Sequence, residues 1–280
     1  MIDFFNATGP RLALDSTSVL DIGACVIGEV DLAPKRSIPD DGDPRIDHSL
    51  EGFLFTCGPD HIRQSESVEG RADGRQFPLH GSFSSHPARI LSSTSGETPE
   101  CHASVTVALA DGGTALLDRR WRMDESGAVF LNDRVTNTGP TAFPPMLMYH
   151  MNIGAIVFDD KVRLSGDMLD GGGFPWTFGP GNGGVFCMPA RVADKDWAEM
   201  VLGPIASIGG RSLRVRFRTD TLPFLQIWRN QTAPANVIGI EPASHRWEKR
   251  DQLAERGELI ALQPGESIDY ALSFAFIAAE

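Results

Sequence analysis

Apolar and polar residues take turns with a period of two along most of the chain. Leu213, Val215 and Phe217 alternate with Arg214, Arg216 and Arg218, and Ile268, Tyr270, Leu272, Phe274 and Phe276 alternate with Asp269, Ala271, Ser273 and Ala275. Each stretch predicts a strand with one buried and one wet face. From Ala103 to Met123 the pattern reads strand, turn at Asp111-Gly112-Gly113, strand, because Asp-Gly supplies the positive φ angles that a tight hairpin needs. A second turn at Glu125 to Gly127 leads into a strand over Val129 to Asn137, which makes an antiparallel meander. Only Glu248 to Arg256 predicts a helix, stopped by Gly257. Gly and Pro gather at Pro39 to Pro44 and at Gly171 to Gly184, and the second stretch predicts a long loop carrying Phe174, Trp176 and Phe178. Loops of that length are usually functional or disordered rather than spacers. No repeat and no break in composition divides the chain, so the expectation is all-β: one large antiparallel β-sandwich domain over residues 1–280.

The charge balance narrows the function. Twenty-five Lys and Arg against 37 Asp and Glu give a net charge of −12, which argues against a nucleic-acid partner, because such binding rests on clustered cations. The start MIDFFNATGPRLAL has no basic segment followed by an apolar one, and no run of about 18 apolar residues occurs. No membrane or export address is therefore expected, and a cytoplasmic location is the default. Cys25, Cys57, Cys101 and Cys187 lie far apart, which fits neither a disulfide framework nor a zinc knuckle. The Gly-rich loop lacks the order of a phosphate cradle.

Three residues carry candidate chemistry. His150 sits in the apolar run MLMYHMNIG, His80 precedes Gly81 in LHGSFSSHPA, and Glu241 ends the run Val237 to Ile240 just before Pro242. A carboxylate behind such a run is desolvated, which raises its pKa toward the range of a general base. Taken singly, each also reads as ordinary structure: a core histidine, a turn residue, a loop-capping acid. Two histidines and a glutamate from different strands could hold iron or zinc at a facial site, although the short signatures H-x-H and H-E-x-x-H are absent. No G-x-S-x-G elbow is present for a serine hydrolase, whereas a chain with 37 acids does not refute a two-carboxylate glycosidase.

Four segments taken in order, GFLFTCGPDHI (52–62), LHGSFSSHPA (79–88), RVTNTGPTAFPPMLMYHMNIG (134–154) and LPFLQIWRN with VIGIEPAS (222–244), resemble the galactose mutarotase-like (aldose 1-epimerase) superfamily and its DUF4432 branch. VLDIGACVIGEVDL (19–32) looks like the opening strand pair of that family. The resemblance implies a large β-sandwich with a sugar in an open cleft. It implies that His80 contacts the sugar, that His150 is the general acid and that Glu241 is the base. Gln226 in FLQIW resembles the glutamine of the family's Q-x-Y strand, with Trp228 where an aromatic is expected. The family branch carries arginines where this chain has Ser18 and Val19, and again where it has Ser82; Arg45 and Arg89 are the substitutes considered.

The implied reaction is the interconversion of anomers of a free sugar by ring opening, with no cofactor and no metal. Glu241 as carboxylate would deprotonate the C1 hydroxyl while His150 as imidazolium protonates the ring oxygen. His80, Gln226 and Asn152 would fix hydroxyls, and Trp228 or Trp176 would face the C–H side of the sugar. Two other classes share these residues: a non-catalytic carbohydrate-binding protein, and another sugar isomerase or lyase, metal-assisted in one version. The partner expected is a small-molecule sugar bound to a monomer or homodimer. A net acidic protein tolerates an anionic sugar only beside a local arginine, which favours neutral sugars.

Overall fold

A computed structural model describes residues 1–34, 36, 42–154, 158, 161–176, 183–192, 194–230 and 236–278. Pro39 and the middle of the Gly-rich loop, with Phe178, lie outside the described residues. Among those described, the strands form two nine-stranded sheets and one two-stranded ribbon. The first sheet runs in space through Ile2–Phe4, Arg11–Asp15, Asp21–Ile27, Leu54–Cys57, Met148–Gly154, Val237–Ala243, Phe224–Asn230 and Gly184–Pro189, with Val30–Asp31 beside Asp21–Ile27. The second runs through Phe174–Pro175, Arg163–Gly166, Trp197–Ile205, Arg211–Arg218, Ser267–Ile277, Val129–Asn137, Thr114–Met123, Glu100–Ala108 and Arg89–Thr94.

The period-two pattern explains how the sheets meet. Leu12, Ile22, Tyr149, Met151, Ile227 and Ile240 of the first sheet join Val105, Leu117, Trp121, Val215, Leu272 and Phe274 of the second in one buried cluster. The Phe53 and Phe274 rings close the seam, 5.6 Å apart. Each such side chain contributes about 1.5–3 kcal/mol when taken out of water. The predicted hairpin is Glu100–Ala108 against Thr114–Met123, and the third strand of the meander is Val129–Asn137. Gly112 takes φ +95° at the turn. The helix is shorter than the pattern predicts, Arg250–Glu255, because Lys249 already serves as its N-cap; Gly257 ends it at φ +71°. The alternation in Ser267–Ile277 is incomplete, since Ala271 and Ser273 are buried too. Ser273 is small and lies in register with Arg216 and Phe130, both larger, on the flanking strands.

A charged network interrupts the apolar seam. Arg119 has no exposed surface, and its five donors are all used. Nε and Nη2 reach Asp133 at 2.9 and 2.7 Å, Nη1 reaches Asp21 at 2.6 Å and the Val19 carbonyl at 2.9 Å, and Nη2 also reaches Thr56 Oγ1 at 2.7 Å. Burial opposes the charge, but Asp133 and Asp21 more than offset it and hold the guanidinium ionised. Asp133 also accepts from the Tyr149 hydroxyl at 2.9 Å. The network thereby ties the second sheet to Met148–Gly154, to Leu54–Cys57 and to a turn where Val19 and Leu20 hold positive φ angles of 40° and 62°. Such angles cost non-glycine residues about 1–3 kcal/mol and persist only where the surroundings enforce them.

On its outer face the first sheet carries a second, smaller core of Phe55, Cys57, Ile62, Met146, Met148, Ala243 and Leu253. This core, with the helix Arg250–Glu255 over it, raises one wall beside the strand that bears His150. All four cysteines are free thiols. No helix among the described residues is long and apolar enough to cross a membrane.

Candidate functional site

Every residue of Met148–Gly154 is buried, so both faces of this strand are covered. Tyr149, Met151 and Ile153 face the main core, which by alternation turns His150 and Asn152 to the outer face. The same parity turns Phe55, Gln226, Trp228 and Glu241 outward, and the register then lines them up. His150 pairs with Phe55, Glu241 with Gln226, and Gln226 with Cys187. The pairs Met148 with Ala243 and Met151 with Ile240 set His150 beside Glu241. One row of side chains, Phe55, His150, Glu241, Gln226 and Cys187, therefore crosses five adjacent strands, one residue per strand.

His150 and Glu241 form the centre of the row. Nε2 and Oε1 are 3.1 Å apart, with the side chains only 5% and 2% exposed, yet the contact is not aligned as a hydrogen bond. Phe55 stacks on the His150 ring at 4.3 Å between centroids, Trp228 meets it edge-on at 5.3 Å, and the His80 ring stands at 5.4 Å. His80 is held in a strained turn at φ +65°. Its N–H donates to the Arg63 carbonyl and its carbonyl accepts from the Gly58 N–H, both at 2.8 Å. Gly81 completes that turn at φ +83°, where a Cβ would stand 2.1 Å from the His61 carbonyl, so only glycine fits.

Burial sets the protonation of the pair. It pushes the Glu241 carboxyl up to about 8 and the His150 imidazole well below its usual 6.5, with His80 adding to the second effect. Burial likewise brings His80 down to about 3. At pH 7 the resting pair is therefore a carboxylic acid beside a neutral imidazole, holding one proton between them, rather than the carboxylate and imidazolium expected from sequence. Around it, His80 Nδ1, His150 Nδ1, Asn152 Oδ1, Gln226 Oε1 and Glu241 Oε1 are buried and receive no hydrogen bond from the protein. Unmet groups of this kind cost about 1–3 kcal/mol each and cluster where a ligand supplies the partners.

Gly239 is a site residue that the sequence reading did not single out. It lies in register with Asn152 and Trp228, and a Cβ there would stand 2.4 Å from Glu241 Oε1 and 3.2 Å from His150 Cε1. Its signal was a glycine inside the strand VIGIE, which marks close approach. Gly239→Ala should keep the fold and displace the carboxylate; a misplacement on the order of 1 Å costs about 100-fold in rate, to be checked by kinetics alongside thermal melting.

The other expected residues fall in different places. Asn152 points its amide at the Gly52 carbonyl, 3.4 Å away, and Gln226 donates to the His245 carbonyl at 3.3 Å, so each keeps its carbonyl oxygen toward the row. Trp176 belongs to the main core beside Phe174, outside the row, and its backbone N–H donates to the Val162 carbonyl at 2.7 Å. The supply of aromatic surface next to His150 comes from Trp228 and Phe55. Arg45 forks onto Asp43, at 2.7 Å for Nη2, and Arg89 lies on the edge strand of the second sheet, so neither stands in the row. Among the described residues, no three His, Cys, Asp or Glu side chains are grouped so as to hold a metal ion.

Comparison with known proteins agrees with this geometry at the level of fold. The family model described as "Domain of unknown function (DUF4432)" matches residues 16–167 and 184–276. No curated protein sequence matches the chain. Among solved structures, a Klebsiella pneumoniae protein named as a candidate aldose 1-epimerase superposes with a TM-score of 0.77 at 15% identity, over 97% of this chain and 77% of the other. A galactose mutarotase related enzyme from Lactobacillus acidophilus gives 0.68 at 11% identity, over 99% and 98%. A galactose mutarotase-like protein from Clostridium acetobutylicum gives 0.66 at 11% identity, over 98% and 94%.

Proposed function

The chain belongs to the DUF4432 family, and we propose that it interconverts the anomers of a free sugar, with Glu241 and His150 as the proton-transferring pair. The observation that carries this reading is the buried 3.1 Å contact between the two groups at the centre of the row. The mutarotase-like names of structural neighbours support it.

Ring opening takes a proton from the C1 hydroxyl and delivers one to the ring oxygen. The O1–H electrons become the second C1–O1 bond, and the C1–O5 pair stays on the ring oxygen. A pair of groups holding one proton between them can perform both transfers at once, provided the two sugar oxygens, which share one carbon, bridge them. From the resting state, Glu241 gives its proton to the ring oxygen while neutral His150 receives that of the C1 hydroxyl. Rotation about the C1–C2 bond and the reverse transfers give the other anomer. This exchanges the roles implied by the family resemblance, and the two assignments differ by one proton moved across the same contact. Asn152 Oδ1 and Gln226 Oε1 accept from sugar hydroxyls, and Trp228 and Phe55 present apolar surface to C–H groups.

Exchange NMR of anomeric protons over a panel of aldoses tests the proposal. Saturable acceleration for at least one sugar is expected. Its kcat/KM should be level through neutral pH and fall as pH rises past about 8, where Glu241 loses the shared proton. The depressed His150 places no fall near 6.5. Binding without acceleration for every sugar tested would overturn the enzyme and leave a carbohydrate-binding protein.

A further inference from the structure

The small outer core ends in a cation that the reaction does not use. The Arg63 guanidinium lies over the Trp247 indole, 4.3 Å from the ring centroid. Its Nε is buried without a hydrogen-bond partner. Two acids are close enough to act on it without bonding to it: Glu66 accepts from the backbone N–H of Arg250 at 3.2 Å, and Glu248 binds the Arg256 guanidinium at 2.6 Å. The neighbouring cations are committed as well. Arg246 pairs with Glu258 at 2.8 Å, and Arg250 donates to the Asp60 carbonyl at 2.7 Å.

Arg63 is joined to the candidate site through its backbone. Its carbonyl anchors the N–H of His80. Both Arg63 and Glu241 act electrostatically on the thiol of Cys187, the last residue of the row.

We propose that Arg63 receives a carboxylate carried by the sugar, so that the ligand is a sugar acid of the uronate class rather than a neutral aldose. The proposal rests on the sugar reading above. Stacking occupies the flat face of the guanidinium and leaves its edge, where parallel N–H groups match the two oxygens of a carboxylate. In a protein of net charge −12, an anionic ligand is repelled unless a local cation meets it. A single unpaired arginine suits a monoanion. A phosphate dianion would call for further uncommitted cations, and the neighbours Arg246 and Arg250 are already engaged.

Ligand-observed NMR titration and anomeric exchange, run together on matched sugars, test this. Glucuronate and galacturonate are compared with glucose, galactose and glucose 6-phosphate, in the wild type and in Arg63→Gln and Arg63→Lys. The wild type should prefer each uronate to its neutral counterpart. The preference should fall about 10- to 100-fold in Arg63→Gln, the usual worth of a hydrogen-bonded charge, and Arg63→Lys should restore only part of it because the fork is gone. Equal affinities in the wild type, an unchanged ratio in Arg63→Gln, or a preference for the phosphate would each overturn the proposal. Exchange of neutral sugars with no preference for uronates would reject the role of Arg63 and leave the anomer reading standing. Tight uronate binding that depends on Arg63 without faster exchange would do the opposite.

Discussion

Glu241→Gln should slow anomeric exchange by about 1000-fold, within the 10²–10⁴ range that a positioned acid or base supplies, while leaving sugar binding within a few-fold of wild type. The amide keeps the shape of the side chain but can neither donate the proton of the resting acid nor take one back. The loss should not come from unfolding. Burial pushes the Glu241 carboxyl up to about 8, so at pH 7 the substitution replaces one neutral group with another and the melting temperature should hold. Exchange NMR reads the rate, and saturation-transfer difference spectra read the binding. Near-normal exchange in this variant would remove Glu241 from the reaction.

Arg119→Met should have the largest effect on stability, about 3–5 kcal/mol, the usual cost of removing one partner from a buried ion pair. For a chain of this length that amounts to roughly 10 °C in Tm. The substitution would leave Asp133, which has no exposed side-chain surface, and Asp21 without their cation. It would also free the carboxylate that holds the Tyr149 hydroxyl, and Tyr149 precedes His150 on the same strand. Activity should therefore fall at temperatures where the variant is still folded. Adding Asp21→Asn and Asp133→Asn should recover part of the lost stability, because no buried charge then remains unpaired. Thermal melts of the single and triple variants check both statements, and a single-variant loss below about 1 kcal/mol would show the ion pairs to be dispensable.

The strand pattern was legible because period two is a local property: Leu213 to Arg218 and the meander from Glu100 to Asn137 form as their alternation predicts. The outward parity of His150, Glu241, Gln226 and Trp228 follows from the same rule. Their assembly into one row does not, because it depends on register between strands far apart in sequence, such as those that pair His150 with Phe55. Arg119 shows a signal that was available and unused. In Ala115, Leu117, Arg119, Trp121, Met123 it occupies an inward position among apolar residues, which forecasts a buried cation in need of acids. Trp176 shows the reverse. A Gly-rich neighbourhood suggested an exposed binding loop, but contact with the main core settled the place of the indole. The protonation state was beyond sequence altogether, since only three-dimensional enclosure decides which of two adjacent groups keeps a proton.

On the proposed function, the row of one residue per strand separates keeping the reaction from changing what it acts upon. Its central members stand on interior strands, each paired with neighbours on both sides, so a change of side-chain size there meets side chains of two other strands. Cys187 lies on Gly184–Pro189, which among the described residues forms an edge of the sheet and pairs on one side only. A change at that end alters what the row meets at its rim without asking any other strand to move. Divergence toward new ligands on this scaffold is therefore expected to accumulate from the edge inward, with the proton-sharing pair the last to vary.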